Sequence, residues 1–167
     1  LLALAPIHIE PIGLYASKSK DLKNIKNGAT IAIPNDATNG GRALLLLQSA
    51  GIIQLKKGTG INATKADIVS NPHNVKLQEL EAAQIPRSLK DVDFAVINSN
   101  FALTVNLNPV KDALFIEDSK SPYANYLVVR QGDENRPEIQ KLVKALQSPE
   151  VKEYIDKNLK GAVVAAF

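Results

Sequence analysis

The sequence predicts an α/β fold with a mostly parallel sheet covered by helices on both faces. Three observations predict it. Short apolar runs such as "TIAIP" (30–34) and "FAVI" (94–97) have the length and composition of buried strands. Capped segments of helical pattern alternate with them along the chain, the order expected of a sheet with crossover helices. The 167 residues are 45% apolar and 22% charged, enough to bury the core of one domain or two small ones.

Residues 1–15, "LLALAPIHIEPIGLY", read as strand or extended connection punctuated by Pro6 and Pro11. The polar, lysine-rich stretch 19–29 carries a short helical turn at Leu22–Ile25. The strand "TIAIP" ends at Pro34 and hands over to a helix with Thr38 or Asn39 as N-cap and Gly51 as C-cap. Its leucines crowd more than one face, which predicts a well-buried helix. "IQLKKGTG" is a loop with a weak strand, and "TKADIVSN" has a Thr-x-x-Asp cap that predicts a short helix. "VKLQELE" is a strand, "AQIPRSLKD" a short helix, "FAVIN" a buried strand, and "SNFALTVNL" a helix capped by Asn98 or Ser99. "ALFIED" and "YANYLVVR" are strands around the turn "SKSP". Ile139, Leu142, Val143 and Leu146 follow the i, i+3, i+4, i+7 rule of an amphipathic helix. Ser148-Pro149-Glu150 opens a second, with Val151, Tyr154, Ile155 and Leu159 on one face, before the apolar tail "GAVVAAF".

Composition narrows the function classes. The net charge of +3 comes from scattered lysines, and four Tyr and four Phe offer little base stacking, so no nucleic-acid surface is expected. The absence of Cys removes disulfides, zinc–thiolate sites and a cysteine nucleophile from these residues. The longest apolar run, "ALLLLQSAGII", is too short to span a membrane. The chain holds no Met and opens inside an extended apolar segment, as expected of a fragment.

Ligands of open α/β sheets bind beyond the carboxyl ends of the strands. Three places there carry polar residues. Asn35, Asp36, Thr38, Asn39, Gly40, Gly41 and Arg42 follow "IAIP"; Asn98, Ser99 and Asn100 follow "FAVI"; Asn125 precedes "YLVV". Backbone N–H groups at a helix N-terminus favour an anion, glycines let a ligand approach the backbone, and Arg42 supplies a planar fork for a carboxylate or phosphate. Without a P-loop or a dinucleotide fingerprint, phosphate is the weaker choice, and a carboxylate with an amine held by asparagine carbonyls fits better. The bland readings stand beside these: a helix start with a solvated arginine, a capping Asn98, a polar edge-strand Asn125.

Enzyme motifs are poor. His8-x-Glu10 shares one strand face but has no third ligand, and His73 sits in the turn-like "NPHN". Asp91 and Asp93 are expected to face solvent. No nucleophile elbow or zinc-helix signature occurs, and no metal or cofactor is expected.

Taken together, "HIEPIGLYASK", "GATIAIPNDATNGGRALLLLQSAG", "VKLQELEAAQIPRSLKDVDFAVINSNFA", "DALFIEDSKSPYANYLVVR" and "SPEVKEYIDKNLKGAVVAAF" resemble the methionine-binding lipoprotein (NlpA) family over essentially all 167 residues. These are substrate-binding components of methionine ABC importers. The resemblance implies a type II periplasmic-binding fold, with residues 1–12 as hinge strand, 13–122 as second lobe, and 123–167 as return strand and helices belonging to the first lobe. It implies a methionine receptor outside the cytoplasmic membrane, held by a lipid anchor that lies outside this chain and docking on a permease with its ATPase. By position Arg42 resembles the carboxylate-binding arginine, Asn98 and Asn125 the asparagines that hold the ligand backbone, and Asn39 a neighbour that contributes. The alternatives are a receptor for another small amino acid or a methionine-containing peptide, or the sensor domain of a regulator. The family's pocket for the thioether side chain is supplied upstream of Leu1. These residues alone are therefore expected to bind methionine at about millimolar affinity or weaker. The terminal helices are expected to need a covering partner: the compact unit, a second copy, or a separate first segment.

Overall fold

The computed structural model describes residues 1–17, 21–118 and 121–167, so part of the lysine-rich stretch and part of the "SKSP" turn lie outside the described residues. In chain order the strands and α-helices are β1 (Leu2–Ile9), β2 (Ile12–Ala16), β3 (Thr30–Pro34), α1 (Ala37–Ser49), β4 (Gln54–Leu55), β5 (Ile68–Ser70) and β6 (Lys76–Leu80). They continue with α2 (Ile85–Ser88), β7 (Phe94–Asn98), α3 (Ser99–Leu103), α4 (Pro109–Asp112), β8 (Phe115–Ile116), β9 (Asn125–Val129), α5 (Pro137–Leu146), α6 (Pro149–Tyr154) and β10 (Val164–Ala165). The chain forms two compact units. One is continuous, Ile12–Glu117; the other joins Leu1–Pro11 to Asp118–Phe167.

The Ile12–Glu117 unit is organised by a five-stranded sheet in the order β6-β3-β7-β2-β8. It is mixed rather than mostly parallel: β3 runs parallel to β6 and β7, whereas β2 runs antiparallel to β7 and β8. The reason lies at β2, which enters the sheet two residues after β1 with no crossover helix to set its direction. Strand alternation sends side chains to two cores. Ile12, Leu14, Ile31, Ile33, Phe94 and Val96 pack with Ala43, Leu44 and Leu47 of α1 on one side. Tyr15, Ala32, Ala95 and Ile97 pack with Ile85 of α2 and Ala102 of α3 on the other. Burial on both faces is what makes these strands continuously apolar in sequence.

Helix α1 starts earlier than its residues suggested. Asp36 is the N-cap, its Oδ1 accepting from the Asn39 backbone N–H at 2.9 Å, in place of Thr38 or Asn39. Gly40 and Gly41 therefore lie inside the helix, and protein backbone occupies the space where a ligand's approach was expected. A Cβ on Gly41 would stand 2.7 Å from the Ile61 carbonyl oxygen, so α1 packs tightly on the turn of 3₁₀ helix at Gly60–Asn62. "TKADIVSN" forms a 3₁₀ turn with a reciprocal Thr64–Asp67 capping box and then the strand β5 rather than a helix. Asp93 does not face solvent alone: its Oδ2 accepts from the backbone N–H and the hydroxyl of Thr30 at 2.8 and 3.0 Å, tying the start of β3 to β7.

The second unit is built on the antiparallel sheet β10-β1-β9. Its helices α5 and α6 contain no buried residue, although Ile155, in the π-helical turn that follows α6, is buried. Among the described residues no helix is long and apolar enough to cross a membrane.

Candidate functional site

Arg42 sits on the second turn of α1, buried at 7% exposure beside leucines that fix the helix against the sheet. A guanidinium there needs a counter-charge, because an isolated ion in a low-dielectric interior is costly. Glu117, just beyond β8, supplies it. Arg42 Nε donates to Glu117 Oε1 at 2.9 Å and Nη2 donates to Glu117 Oε2, a side-on bidentate pair with both side chains largely shielded. The Glu117 backbone N–H donates to the Ile12 carbonyl at 3.0 Å, and the Ile12 N–H approaches Glu117 Oε2 at 3.4 Å. The fork is thus fixed in its plane at the point where the unit's first and last residues meet.

Asn39 lies three residues before Arg42, one turn away on the same face of α1. Its Nδ2 donates to both carboxylate oxygens of Asp36, at 3.2 and 3.1 Å. Its Oδ1 accepts from Asn98 Nδ2 at 2.8 Å. Asn98 is the N-cap of α3 by backbone geometry, yet its side chain makes no capping bond. Instead its Oδ1 is shielded from water and has no donor among the described residues. An orphaned buried acceptor of this kind calls for an explanation, and one arriving N–H group would satisfy it.

The structure thus brings Asn39 and Asn98 together in one hydrogen-bonded chain, with Arg42 one turn from Asn39. Asn125 belongs to the other unit, exposed at the start of β9 and paired in register with His8 of β1. His8 Nε2 lies 3.1 Å from Glu10 Oε1, and no cluster of three or more His, Asp or Glu able to hold a metal occurs among the described residues. The backbone carbonyl of His73 accepts from the Gly28 N–H at 2.8 Å, a turn contact. Sequence reasoning passed over Glu117 and left Asp36 as one polar loop residue among several. The signal for Glu117 was available: an arginine on a helix expected to be buried requires an acidic partner, and Glu117 directly follows the apolar strand Phe115–Ile116.

Comparison with known proteins places the chain in a family. The family model described as NlpA lipoprotein matches residues 1–167. The chain belongs to the NlpA lipoprotein family. Among NlpA relatives, the D-methionine-binding lipoprotein MetQ of Salmonella typhimurium is 45% identical over 169 residues; the alignment covers 100% of this chain and 62% of the relative. The chain therefore spans less than two thirds of the length of the curated relatives it matches. Among solved structures, a nutrient binding protein from Burkholderia cenocepacia bound to methionine superposes with a TM-score of 0.92 at 53% identity, covering 99% of this chain and 70% of that one. The lipoprotein Tp32 from Treponema pallidum gives 0.91 at 40% identity, covering 99% and 69%. With these neighbours, the mixed five-stranded unit is one lobe of a type II periplasmic-binding fold.

Proposed function

We propose that the chain is part of an extracytoplasmic receptor that binds methionine and delivers it to an ABC importer, with no catalytic step. The observation that carries this reading is the pairing of a fixed guanidinium with an unoccupied acceptor. Arg42 offers a rigid fork to a carboxylate, and Asn98 Oδ1 offers an acceptor to an ammonium, the two poles of a zwitterionic amino acid. The Glu117 pair engages Nε and Nη2 of Arg42 and so fixes the plane in which the guanidinium is presented. Displacing Glu117 would leave a buried carboxylate with too few donors, so the ligand adds to the pair. Asn39 supports Asn98. The methionine-bound relative at 53% identity supports the choice of amino acid. The lipoprotein names of the relatives support a lipid anchor outside the cytoplasm, and a solved relative from Coxiella burnetii described as a periplasmic substrate-binding protein of an ABC transporter supports delivery to a permease and its ATPase.

Calorimetric titration of the full-length protein with methionine tests this. Saturable binding is expected, and Arg42→Lys, which keeps the charge but loses the fork, should weaken it at least about tenfold, the worth of one charge-assisted hydrogen bond. No binding by the unaltered protein, or an Arg42→Lys variant that binds equally well, would overturn the reading.

A further inference from the structure

A side-chain amide presents a carbonyl on one side and an NH₂ on the other, and a half-turn exchanges them. An asparagine at a binding site is therefore a donor or an acceptor depending on what holds its far side. Here the far side is a relay of three residues: Asp36, Asn39 and Asn98.

The relay has one group whose polarity is not negotiable. An ionised carboxylate only accepts. Both Asp36 oxygens face the Asn39 amide, at 3.2 and 3.1 Å, and Oδ1 also takes the Asn39 backbone N–H at 2.9 Å. The Asn39 side chain must therefore turn its NH₂ toward Asp36 and its carbonyl away. That carbonyl, 2.8 Å from the Asn98 amide, in turn requires the Asn98 NH₂. Asn98 is then left with its carbonyl on the side away from Asn39, and this is the oxygen found shielded and without a donor.

We propose that Asp36 is a positioning residue that sets the polarity of the Asn39–Asn98 relay and so reserves Asn98 Oδ1 for the ammonium group of the ligand. The inference rests on the methionine-receptor reading for its ligand, but not for its geometry. Asp36 touches no ligand; it acts through two amides. An ammonium can only donate, so it binds the relay in one polarity alone. A hydroxyl donates or accepts, so it tolerates both. The relay is thus a filter for an amine over an isosteric hydroxyl.

Asp36→Asn separates this role from helix capping. Asparagine caps helices about as well as aspartate. With its Oδ1 kept on the Asn39 N–H, the new NH₂ stands where Asp36 Oδ2 was. It favours the Asn39 carbonyl, which reverses Asn39, then Asn98, and turns an NH₂ outward. Asp36→Ser also keeps a cap but dictates no polarity. The experiment is calorimetry on the full-length protein with methionine and with its 2-hydroxy analogue, alongside thermal melts and the side-chain amide resonances of Asn98. In Asp36→Asn, methionine affinity should fall about tenfold or more while affinity for the hydroxy analogue stays within about threefold, with the melting temperature near that of the parent. Asp36→Ser should fall between. The Asn98 NH₂ resonances should shift in Asp36→Asn with no ligand present. An unchanged methionine-to-hydroxy ratio in a folded Asp36→Asn variant would overturn the proposal and leave Asp36 as a cap. If the unaltered protein binds neither compound, the receptor reading falls by itself. The amide resonances then decide the relay: a shift on Asp36→Asn upholds the polarity control, and no shift removes it.

Discussion

The two units solve the problem of burial differently. The Ile12–Glu117 unit covers both faces of its sheet and places a shielded ion pair at its closure, with Leu47 fully buried on α1. In the other unit, within these 167 residues, α5 and α6 carry regular apolar stripes but hold no buried residue themselves; Leu142 is 43% exposed, and Ile155, just beyond α6, is buried. Equivalent periodicity in sequence therefore does not mean equivalent burial in the fold. An apolar stripe states which face seeks cover, while the stability it yields depends on the surface that meets it.

Ion pairs should show the contrast most strongly. Glu117→Ala leaves Arg42 as a buried charge without its carboxylate and should cost about 3–5 kcal/mol in denaturant unfolding. Glu138→Ala removes the exposed partner of Arg136 and should leave the midpoint unchanged. Comparable losses from both would show that the units are equally tight. Next come the leucines, measured in these 167 residues alone: Leu47→Ala should cost about 2–5 kcal/mol, and Leu142→Ala less than about 0.5 kcal/mol. Hydrogen exchange resolved by residue would assign each loss to its unit.

The smallest effect concerns Tyr15, whose hydroxyl is buried without a hydrogen-bond partner among the described residues. Burial, and secondarily the charge of Asp112, hold its pKa well above the ordinary value. The folded protein keeps a proton that the unfolded chain gives up above about pH 10. This contribution to stability is therefore full below that pH and is lost as the pH rises beyond it. Tyr15→Phe should change stability by less than about 1 kcal/mol at pH 7 and flatten the alkaline decline. Tyr154→Phe, at a residue 62% exposed, should do neither. An alkaline limb that persists in Tyr15→Phe would place its origin elsewhere.

Much of this was legible in the residues. The strands β3, β6, β7, β8 and β9 and the helices α2, α3, α5 and α6 fall where pattern and caps put them, and α1 does so except at its start, where Asp36 is the cap. Local chemistry was enough, because apolar runs, Pro at first turns and Ser or Asn caps act within a few residues. The four-residue helix α4 was missed. The mixed sheet was missed because strand direction depends on partners distant in sequence. Arg42, Asn39 and Asn98 drew attention through residue type and position beside a helix start. Their bonding did not: Glu117 is 75 residues from Arg42 and Asn98 is 59 from Asn39, and the polarity of an amide has no sequence signal at all.

The bond from the Glu117 N–H to the Ile12 carbonyl has a meaning beyond the site. It makes the entry and exit of the larger unit neighbours, so the unit is inserted into its host chain through a single narrow doorway. A segment bounded this way can be exchanged between homologues as a cassette, with two splice points side by side and no linker to redesign. Recombination at that doorway would transfer Arg42, Glu117 and the asparagine relay as one piece, while Asn125 stayed with the recipient.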